Sequence, residues 1–322
     1  MRAIRIHETG GPDTLQLETI ADPVPGPGEV LVRLEAIGVN FIEIYQRKGI
    51  YKVPMPFIPG EEGAGIVVAV GPGVEDVRVG ARVVSVNFRG SYAELAVVDA
   101  SRVVAIPDGL AARDAAAVML QGMTAHYLAT SVYALQPGDH CLVHAAAGGV
   151  GLLLCQIAKR RNAIVFGTVS SPTKARLARE AGADEVIDYT KLDFAAEIAR
   201  LTAGAKLKVV YDSVGATTFL GSIDCLAPRG MLALFGQSSG LVPPFDPLLL
   251  TRKGSLFLTR PTLGHYIATR DELVWRAGDL LGWVRDGSLS LRVDREVPLA
   301  QVGEAHRAIE GRRTTGKVLL VP

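Results

Sequence analysis

The chain has 322 residues, 48% hydrophobic and 21% charged, with 34 Lys and Arg against 33 Asp and Glu. This length suits two domains, because single cores stop growing at roughly 250 to 300 residues. The balanced charge argues against nucleic-acid and anionic-membrane partners. The three cysteines are scattered, which predicts a protein without disulfides or cysteine-bound zinc. The sequence shows no apolar leader and no run of 18 apolar residues, so we expect a cytoplasmic protein without a membrane span.

The first 120 or so residues predict a β-rich domain. Short apolar segments alternate there with Gly and Pro, as in EVLVRLEAIGV, GAGIVVAVGPGV, ARVVSVNF and SYAELAVV. Segments of this kind, bounded by turn-forming residues, are typical of strands.

From about residue 123 the pattern changes to an alternation of strands and helices. The predicted strands are CLVHA, AIVFG, EVIDY, KVVYDSV and MLALFG, and longer segments of helical period separate them. Such a βαβ series predicts an α/β domain with a doubly wound parallel sheet. After Pro261, a helix-like segment leads to a strand-like tail ending KVLLVP, which we assign back to the first domain.

The stretch HAAAGGVG, residues 144–151, predicts a dinucleotide site. It joins the first strand of the sheet, 141–144, to a helix at 150–161, so its glycines form the turn between them. Gly148 allows close approach of a ligand, Gly151 allows tight packing, and the N–H groups at the helix start attract an anion. Against the G-x-G-x-x-G pattern the first glycine is replaced by Ala146, yet strand, turn and helix follow in the required order.

The residues after the second strand favour NADPH over NADH. NAD sites place a carboxylate there to bind the ribose hydroxyl, whereas residues 168–174 read TVSSPTK, without a carboxylate. Ser171 and Pro172 predict a helix start, which puts Lys174 in the first turn. A cation in the first turn of a helix interacts unfavourably with the helix dipole, and a nearby anion would compensate for this. The 2′-phosphate of NADPH is such an anion.

Seven segments spread along the chain carry a resemblance to a known family. They are GVNFIEIYQRKGIY, PFIPGEEGAGIVVAVG, QGMTAHYL, HAAAGGVGLLLCQIAK, VVYDSVG, GSLFLTRP and AHRAIEGRRTTGKVLLVP. With them the sequence resembles the zinc-free NADPH:quinone oxidoreductases, the zeta-crystallin-like group of the medium-chain dehydrogenase/reductase superfamily. The resemblance implies a GroES-like catalytic domain (1–122 and 263–322), a Rossmann NADPH-binding domain (123–262) and a homodimer.

The resemblance also implies the functional residues, position by position. The four that map to the site of reaction are Asn40, Tyr45, Thr124 and Arg260. Those that map to NADPH binding are Asn40, Tyr127, Ala147, Gly148, Gly149, Val150, Gly151, Thr168, Ser170, Lys174, Tyr189, Phe235, Ser238 and Arg312. Among these, Ser170, Lys174, Tyr189 and Arg312 map to the adenosine end of the cofactor.

A catalytic zinc is not expected. Zinc alcohol dehydrogenases of the same superfamily carry Cys and His where this chain has Asn40 and Glu61. His140 and His144 do not replace them, because four residues of a strand span roughly 13 Å. Without a Lewis acid the acceptor must take hydride readily, as a quinone does, and Tyr45 or Asn40 could stabilise the charge that develops on its oxygen.

Two alternatives remain open at the level of sequence. The same fold could reduce an α,β-unsaturated ketone or aldehyde, which makes a well-placed acid more important. The protein could also be a non-catalytic NADPH- or RNA-binding, crystallin-like protein, although the chain has no basic stripe. The homodimer is expected to join through its Rossmann domains with the apolar segment GSLFLTRP near the contact, because a bare apolar edge strand would promote aggregation.

Overall fold

The chain divides into two units in the computed structural model, which describes residues 1–322. Unit one comprises Met1–Met123 and Ile267–Pro322, and unit two comprises Thr124–Tyr266. The sequence placed its domain boundaries at 122/123 and 262/263, whereas the two units of the structure divide at 123/124 and 266/267. No helix combines the length and the apolar character that a membrane span needs.

The N-terminal part of unit one is mainly β-structure, as its punctuated apolar segments predict. In its longest strand most residues are buried, while Arg33 and Glu35 face solvent. Two helices of this N-terminal part, 41–47 and 112–127, were not among the predicted elements. The second begins inside the segment that was interpreted as β-rich. The elements are β1 (Arg2–Arg5), β2 (Gln16–Thr19), β3 (Glu29–Val39), α1 (Phe41–Arg47), β4 (Gly63–Val70), β5 (Arg82–Ser85), β6 (Leu95–Asp99), β7 (Val104–Ala105) and α2 (Ala112–Tyr127).

Unit two is the predicted alternation of strands and helices. Its elements after α2 are β8 (His140–Val143), α3 (Gly149–Arg160), β9 (Ile164–Val169), α4 (Pro172–Glu180), β10 (Glu185–Asp188), α5 (Phe194–Leu201), β11 (Leu207–Asp212), α6 (Phe219–Asp224), β12 (Leu226–Leu234), α7 (Leu248–Arg252), β13 (Phe257–Thr259) and α8 (Leu263–Tyr266). The strands form one parallel sheet in the order β10-β9-β8-β11-β12-β13. This arrangement confirms the doubly wound α/β prediction, and ligands of such sheets bind at the carboxyl ends of the strands.

The C-terminal segment completes unit one. It contains α9 (Arg270–Arg285), β14 (Val293–Pro298), α10 (Val302–Glu310) and β15 (Lys317–Val321). Strand β15 pairs antiparallel with β3, so that Val318 lies opposite Val39, and the sheet runs β14-β15-β3-β4-β5-β7 with β6 also on β3. This pairing brings Lys317, at the start of β15, to the end of β3, where α1 begins.

Candidate functional site

The glycine turn of unit two leads from β8 into α3 with an open helix start. Gly148 is the N-cap residue and offers no side chain to cap the helix. A Cβ on Gly151 would lie 2.3 Å from the carbonyl oxygen of Ala145, so only glycine fits there. The N–H groups of the first turn have no partners within the helix, which makes this turn suited to an anion.

A buried set of hydrogen bonds lies directly behind the turn. His144 Nδ1 lies 2.9 Å from Thr168 Oγ1, and His144 Nε2 lies 3.0 Å from Ser222 Oγ. Ser222 in turn donates to Asp212 Oδ2 at 2.9 Å. Because these residues come from β9, α6, β11 and the end of β8, the contacts join the carboxyl ends of neighbouring strands beneath the turn.

The direction of these bonds defines the tautomer of His144. The Asp212 carboxylate only accepts, so the Ser222 hydroxyl proton goes to it and Ser222 must accept from His144 Nε2. His144 Nδ1 then accepts from the hydroxyl of Thr168. Burial lowers the pKa of His144, which keeps the ring neutral. Thr168, predicted to bind cofactor, also accepts the N–H of Ala146 at its carbonyl oxygen, and it thereby supports the turn.

The end of β9 has the polar, cationic character predicted from the sequence. Ser171 is the N-cap of α4, Pro172 is its first residue, and Lys174 lies in the first turn. Lys174 Nζ lies 3.4 Å from Ser170 Oγ. Tyr189, just beyond β10, donates its backbone N–H to Val169 and leaves 39% of its surface exposed. The structure therefore gathers Ser170, Lys174 and Tyr189 at neighbouring strand ends.

Arg312, the fourth residue predicted at the adenosine end, belongs to unit one. It follows α10 and adopts a left-handed backbone conformation with φ 54°, which is uncommon for a residue other than glycine. Its role at the cofactor remains a prediction.

Arg260 holds the loop that follows β12. It donates to the carbonyl oxygen of Leu234 at 2.8 Å and to Gln237 Oε1 at 3.2 Å. Two predicted cofactor residues, Phe235 and Ser238, lie in this loop. The guanidinium, predicted to be catalytic, thus has a visible positioning role, and a direct contact with substrate remains a prediction.

Thr124 and Tyr127 lie one helical turn apart in α2 and are both buried. The ring of Tyr127 stacks on Tyr266 with centroids 4.4 Å apart and an angle of 4° between the planes. Sequence reasoning did not single out Tyr266. The only signal for it was its aromatic character near the end of unit two.

Asn40 and Tyr45 belong to the first helix of unit one, Asn40 at its cap and Tyr45 in its second turn. Asn40 is the N-cap of α1, and Tyr45 lies in that helix with its ring 5.9 Å from Phe41 and 5.4 Å from Tyr51. Only 5% of Asn40 and 8% of Tyr45 is exposed. Both predicted catalytic residues of this unit therefore belong to one helix and its cap, and their joint action at a site remains a prediction.

Three side chains that sequence reasoning missed surround Asn40. Its amide bonds Glu62, Gln121 and Lys317, and Lys317 also forms an ion pair with Glu62. Separately, Glu43 accepts the backbone N–H of Asn40 at 2.7 Å, and burial raises the pKa of its carboxyl to about 8. Burial therefore favours the protonated form of Glu43.

The two positions that carry zinc ligands in the alcohol dehydrogenases do not form a metal centre here. Asn40 is engaged as described, and Glu61 accepts from Gln46 Nε2 at 3.4 Å, while burial raises the pKa of its carboxyl. No group of three or more His, Cys, Asp and Glu side chains is arranged to hold a metal ion. The donor set around Asn40 instead suits recognition of a polar organic group.

Comparison with known proteins identifies relatives of this chain. Residues 26–108 match the alcohol dehydrogenase GroES-like domain, and residues 149–270 match the zinc-binding dehydrogenase family. The quinone oxidoreductase of Pseudomonas aeruginosa is 46% identical over 323 residues, covering 100% of this chain and 99% of the relative. A 2-haloacrylate reductase from Burkholderia is 40% identical, covering 98% of each chain.

A solved structure extends the comparison to three dimensions. The Escherichia coli quinone oxidoreductase complexed with NADPH is 40% identical and superposes with a TM-score of 0.98 over 100% of both chains. Both the predicted resemblance and the predicted fold are thereby confirmed. The chain belongs to the quinone oxidoreductases of the medium-chain dehydrogenase/reductase superfamily.

Proposed function

We propose that the protein is a zinc-independent reductase that uses NADPH to reduce a quinone. The observation that carries this proposal is the pairing of an uncapped glycine turn with a cation, Lys174, at the next strand end. The first element suits a pyrophosphate, and the second suits a 2′-phosphate rather than a free ribose hydroxyl. The E. coli quinone oxidoreductase with its bound NADPH supports the same reading.

The residues of unit two would hold NADPH along its length. The N–H groups at the start of α3 would bind the pyrophosphate, and Ser170, Lys174 and Tyr189 would bind the adenosine end, to which the family resemblance also assigns Arg312 of unit one. Phe235, Ser238 and Tyr127 border the nicotinamide. The buried His144 and Thr168 keep the turn in shape, because both are fully engaged with protein partners.

The remaining residues orient the acceptor and share its charge. NADPH, when bound, supplies the hydride that reduces the acceptor. Asn40 and Tyr45 offer donors to a quinone oxygen as negative charge develops there, while Thr124 and Arg260 shape the surroundings. Because the product is a delocalised oxyanion that water can protonate, none of these residues needs to be an obligatory acid.

The protein is also proposed to act as a cytoplasmic homodimer. Its three cysteines are all buried and free, which suits a reducing compartment. Strand β13 lies at the edge of the parallel sheet and exposes 57% of Phe257, an apolar edge that a symmetry-related copy would cover.

A panel of quinones and enones, assayed with NADPH and with NADH, tests the proposed activity. The expected result is highest turnover with a quinone and NADPH. A best substrate that is an enone would instead assign the reduction of an activated double bond, the class suggested by the 2-haloacrylate reductase. Failure to oxidise NADPH with any acceptor would leave a binding role, and salt-dependent RNA binding would identify its ligand.

A further inference from the structure

The side-chain amide of Asn40 is enclosed by a buried network. Its Oδ1 accepts from Lys317 Nζ at 2.9 Å and from Gln121 Nε2 at 3.2 Å, and its Nδ2 donates to Glu62 Oε2 at 2.9 Å. Asn40, Lys317 and Glu62 are 5%, 2% and 0% exposed. Water therefore does not compete for these bonds.

The two charges determine which way the amide faces. An ammonium group only donates hydrogen bonds and a carboxylate only accepts them. A flipped amide would set Nδ2 against the Lys317 ammonium and Oδ1 against the Glu62 carboxylate, which is unfavourable at both ends. The observed orientation is thus imposed by Lys317 and Glu62 together.

The positions of the two charges are themselves fixed. Glu62 bonds Lys317 directly, and its Oε1 accepts the backbone N–H of Leu120 at 2.6 Å. Lys317 begins β15, Glu62 directly precedes β4, and Leu120 lies in α2. Three elements of unit one therefore converge on the Asn40 amide.

One hydrogen-bonding group of this amide is not used within the network. An Asn side chain has two acceptor sites on oxygen and two N–H donors. Lys317 and Gln121 occupy both acceptor sites, and Glu62 takes one donor. Asn40 can therefore serve a ligand only as a donor, through its second N–H.

We propose that Lys317 and Glu62 are positioning residues that orient the Asn40 amide so that its free N–H donates to a carbonyl oxygen of the bound reactants. This inference rests on the proposed function, in which Asn40 contacts the reacting molecules. Lys317 and Glu62 act through Asn40 and touch neither cofactor nor acceptor. The two charges fix the orientation in which the amide presents an N–H, and this N–H matches an oxygen acceptor such as a quinone carbonyl.

A double-mutant cycle between Lys317→Met and Asn40→Ala tests the inference, with kcat and KM measured for NADPH and a quinone. We expect Lys317→Met to lower kcat about tenfold in the wild-type background and by less than about twofold in Asn40→Ala, because interacting residues are not additive. A purely structural role would give the same fold loss in both backgrounds, and that result would overturn the inference.

Two further variants keep the test decisive. Lys159→Met makes the same substitution in unit two, where Lys159 bonds Asp184, and it should leave kcat unchanged in both backgrounds. Lys317→Met leaves the Glu62 charge buried and unpaired and could for that reason fail to fold. In that case the double variant Lys317→Met/Glu62→Gln, which removes both charges, takes the place of Lys317→Met in the cycle. If Asn40→Ala alone has wild-type kinetics, the role of Asn40 itself is rejected. If Asn40→Ala is impaired but Lys317→Met lowers kcat equally in both backgrounds, only the positioning role is rejected.

Discussion

The hydroxyl of Thr168 lies 2.9 Å from Nδ1 of His144, and this bond joins the carboxyl ends of two neighbouring strands beneath the glycine turn. The backbone of Thr168 also accepts the N–H of Ala146 inside that turn. The shape of the glycine turn is therefore set by the buried polar groups beneath it, and its glycines leave the backbone open to a ligand.

Gly151→Ala should weaken NADPH binding about tenfold or more. The added Cβ would lie 2.3 Å from the Ala145 carbonyl oxygen, so the turn must move and its N–H groups are displaced from a bound phosphate. Each hydrogen bond to a charged group contributes about 1.5 to 3 kcal/mol, so the loss of one weakens binding about tenfold or more. Fluorescence titration with NADPH measures the loss. Gly278→Ala, in α9 where an added Cβ meets no atom within 4 Å, is the control and should bind NADPH normally. Unchanged affinity in Gly151→Ala would contradict this account of the turn.

Lys174→Ala should raise the KM for NADPH about tenfold or more and leave the KM for NADH nearly unchanged. A charged hydrogen bond contributes about 1.5 to 3 kcal/mol, and only NADPH carries the 2′-phosphate that would receive it. Steady-state kinetics with both cofactors test this. Arg176→Ala removes an exposed cation of the same helix that pairs with Glu180, and it should change neither value. Equal losses with both cofactors in Lys174→Ala would reject the assignment.

His306 should make the free energy of unfolding of the protein decrease at acidic pH. It accepts from Arg47 at Nδ1, so its Nε2–H faces the Tyr92 hydroxyl, and burial followed by the Arg47 charge lowers its pKa from 6.5 to about 3. Because the folded-state pKa is lowered, the neutral ring contributes stability above pH 6.5 that is lost as the pH falls toward 3. Between pH 7 and pH 5 the loss is about 2 kcal/mol.

Denaturant unfolding of His306→Gln at pH 7 and pH 5 measures this contribution. The variant should lose about 2 kcal/mol less than the wild type over that interval. His265→Gln, which replaces an exposed histidine, should keep the wild-type pH dependence. An unchanged pH dependence in His306→Gln would show that His306 is not the titrating group.

The proposed dimer predicts a particle of twice the 34.1 kDa chain mass by light scattering at micromolar concentration. Phe257→Glu should shift the population toward the monomer, because a charge on an edge strand opposes pairing with a second copy. Leu17→Glu, at an exposed position on β2 of unit one, is the control and should remain dimeric. A monomeric wild-type protein would reject the assembly.

The strands, the glycine turn and the helix starts of unit two were predictable because their signals are local. Strand, glycine turn and helix follow one another at residues 140–160, and Lys174 follows its own N-cap by three residues. Hydrophobic period and turn chemistry operate at that range, so the parallel sheet and the helix starts agree with the sequence.

The surroundings of Asn40 were not predictable in the same way. Lys317 is 277 residues from Asn40 and reaches it only because β15 pairs with β3. The signal in the sequence was a lysine at the head of an otherwise apolar strand, KVLLV, and a lysine there is more often solvated than buried. Helix α2 was missed for a different reason, because the first 120 or so residues were assigned to the β-rich domain as a block, although the segment ARDAAAVMLQGMTAHY is rich in alanine, a strong helix former.

The most direct test of the account is the effect of Tyr45→Phe on the best quinone and on the best enone, each assayed with NADPH. If the protein orients a quinone and shares its developing charge, the variant loses less than about a hundredfold in quinone turnover, below the loss seen when a principal oxyanion donor is removed. Tyr133→Phe, which removes a hydroxyl elsewhere in the chain, should retain wild-type turnover. An enone turnover that exceeds that of every quinone and falls by several orders of magnitude in Tyr45→Phe would instead show an enone reductase with Tyr45 as its acid.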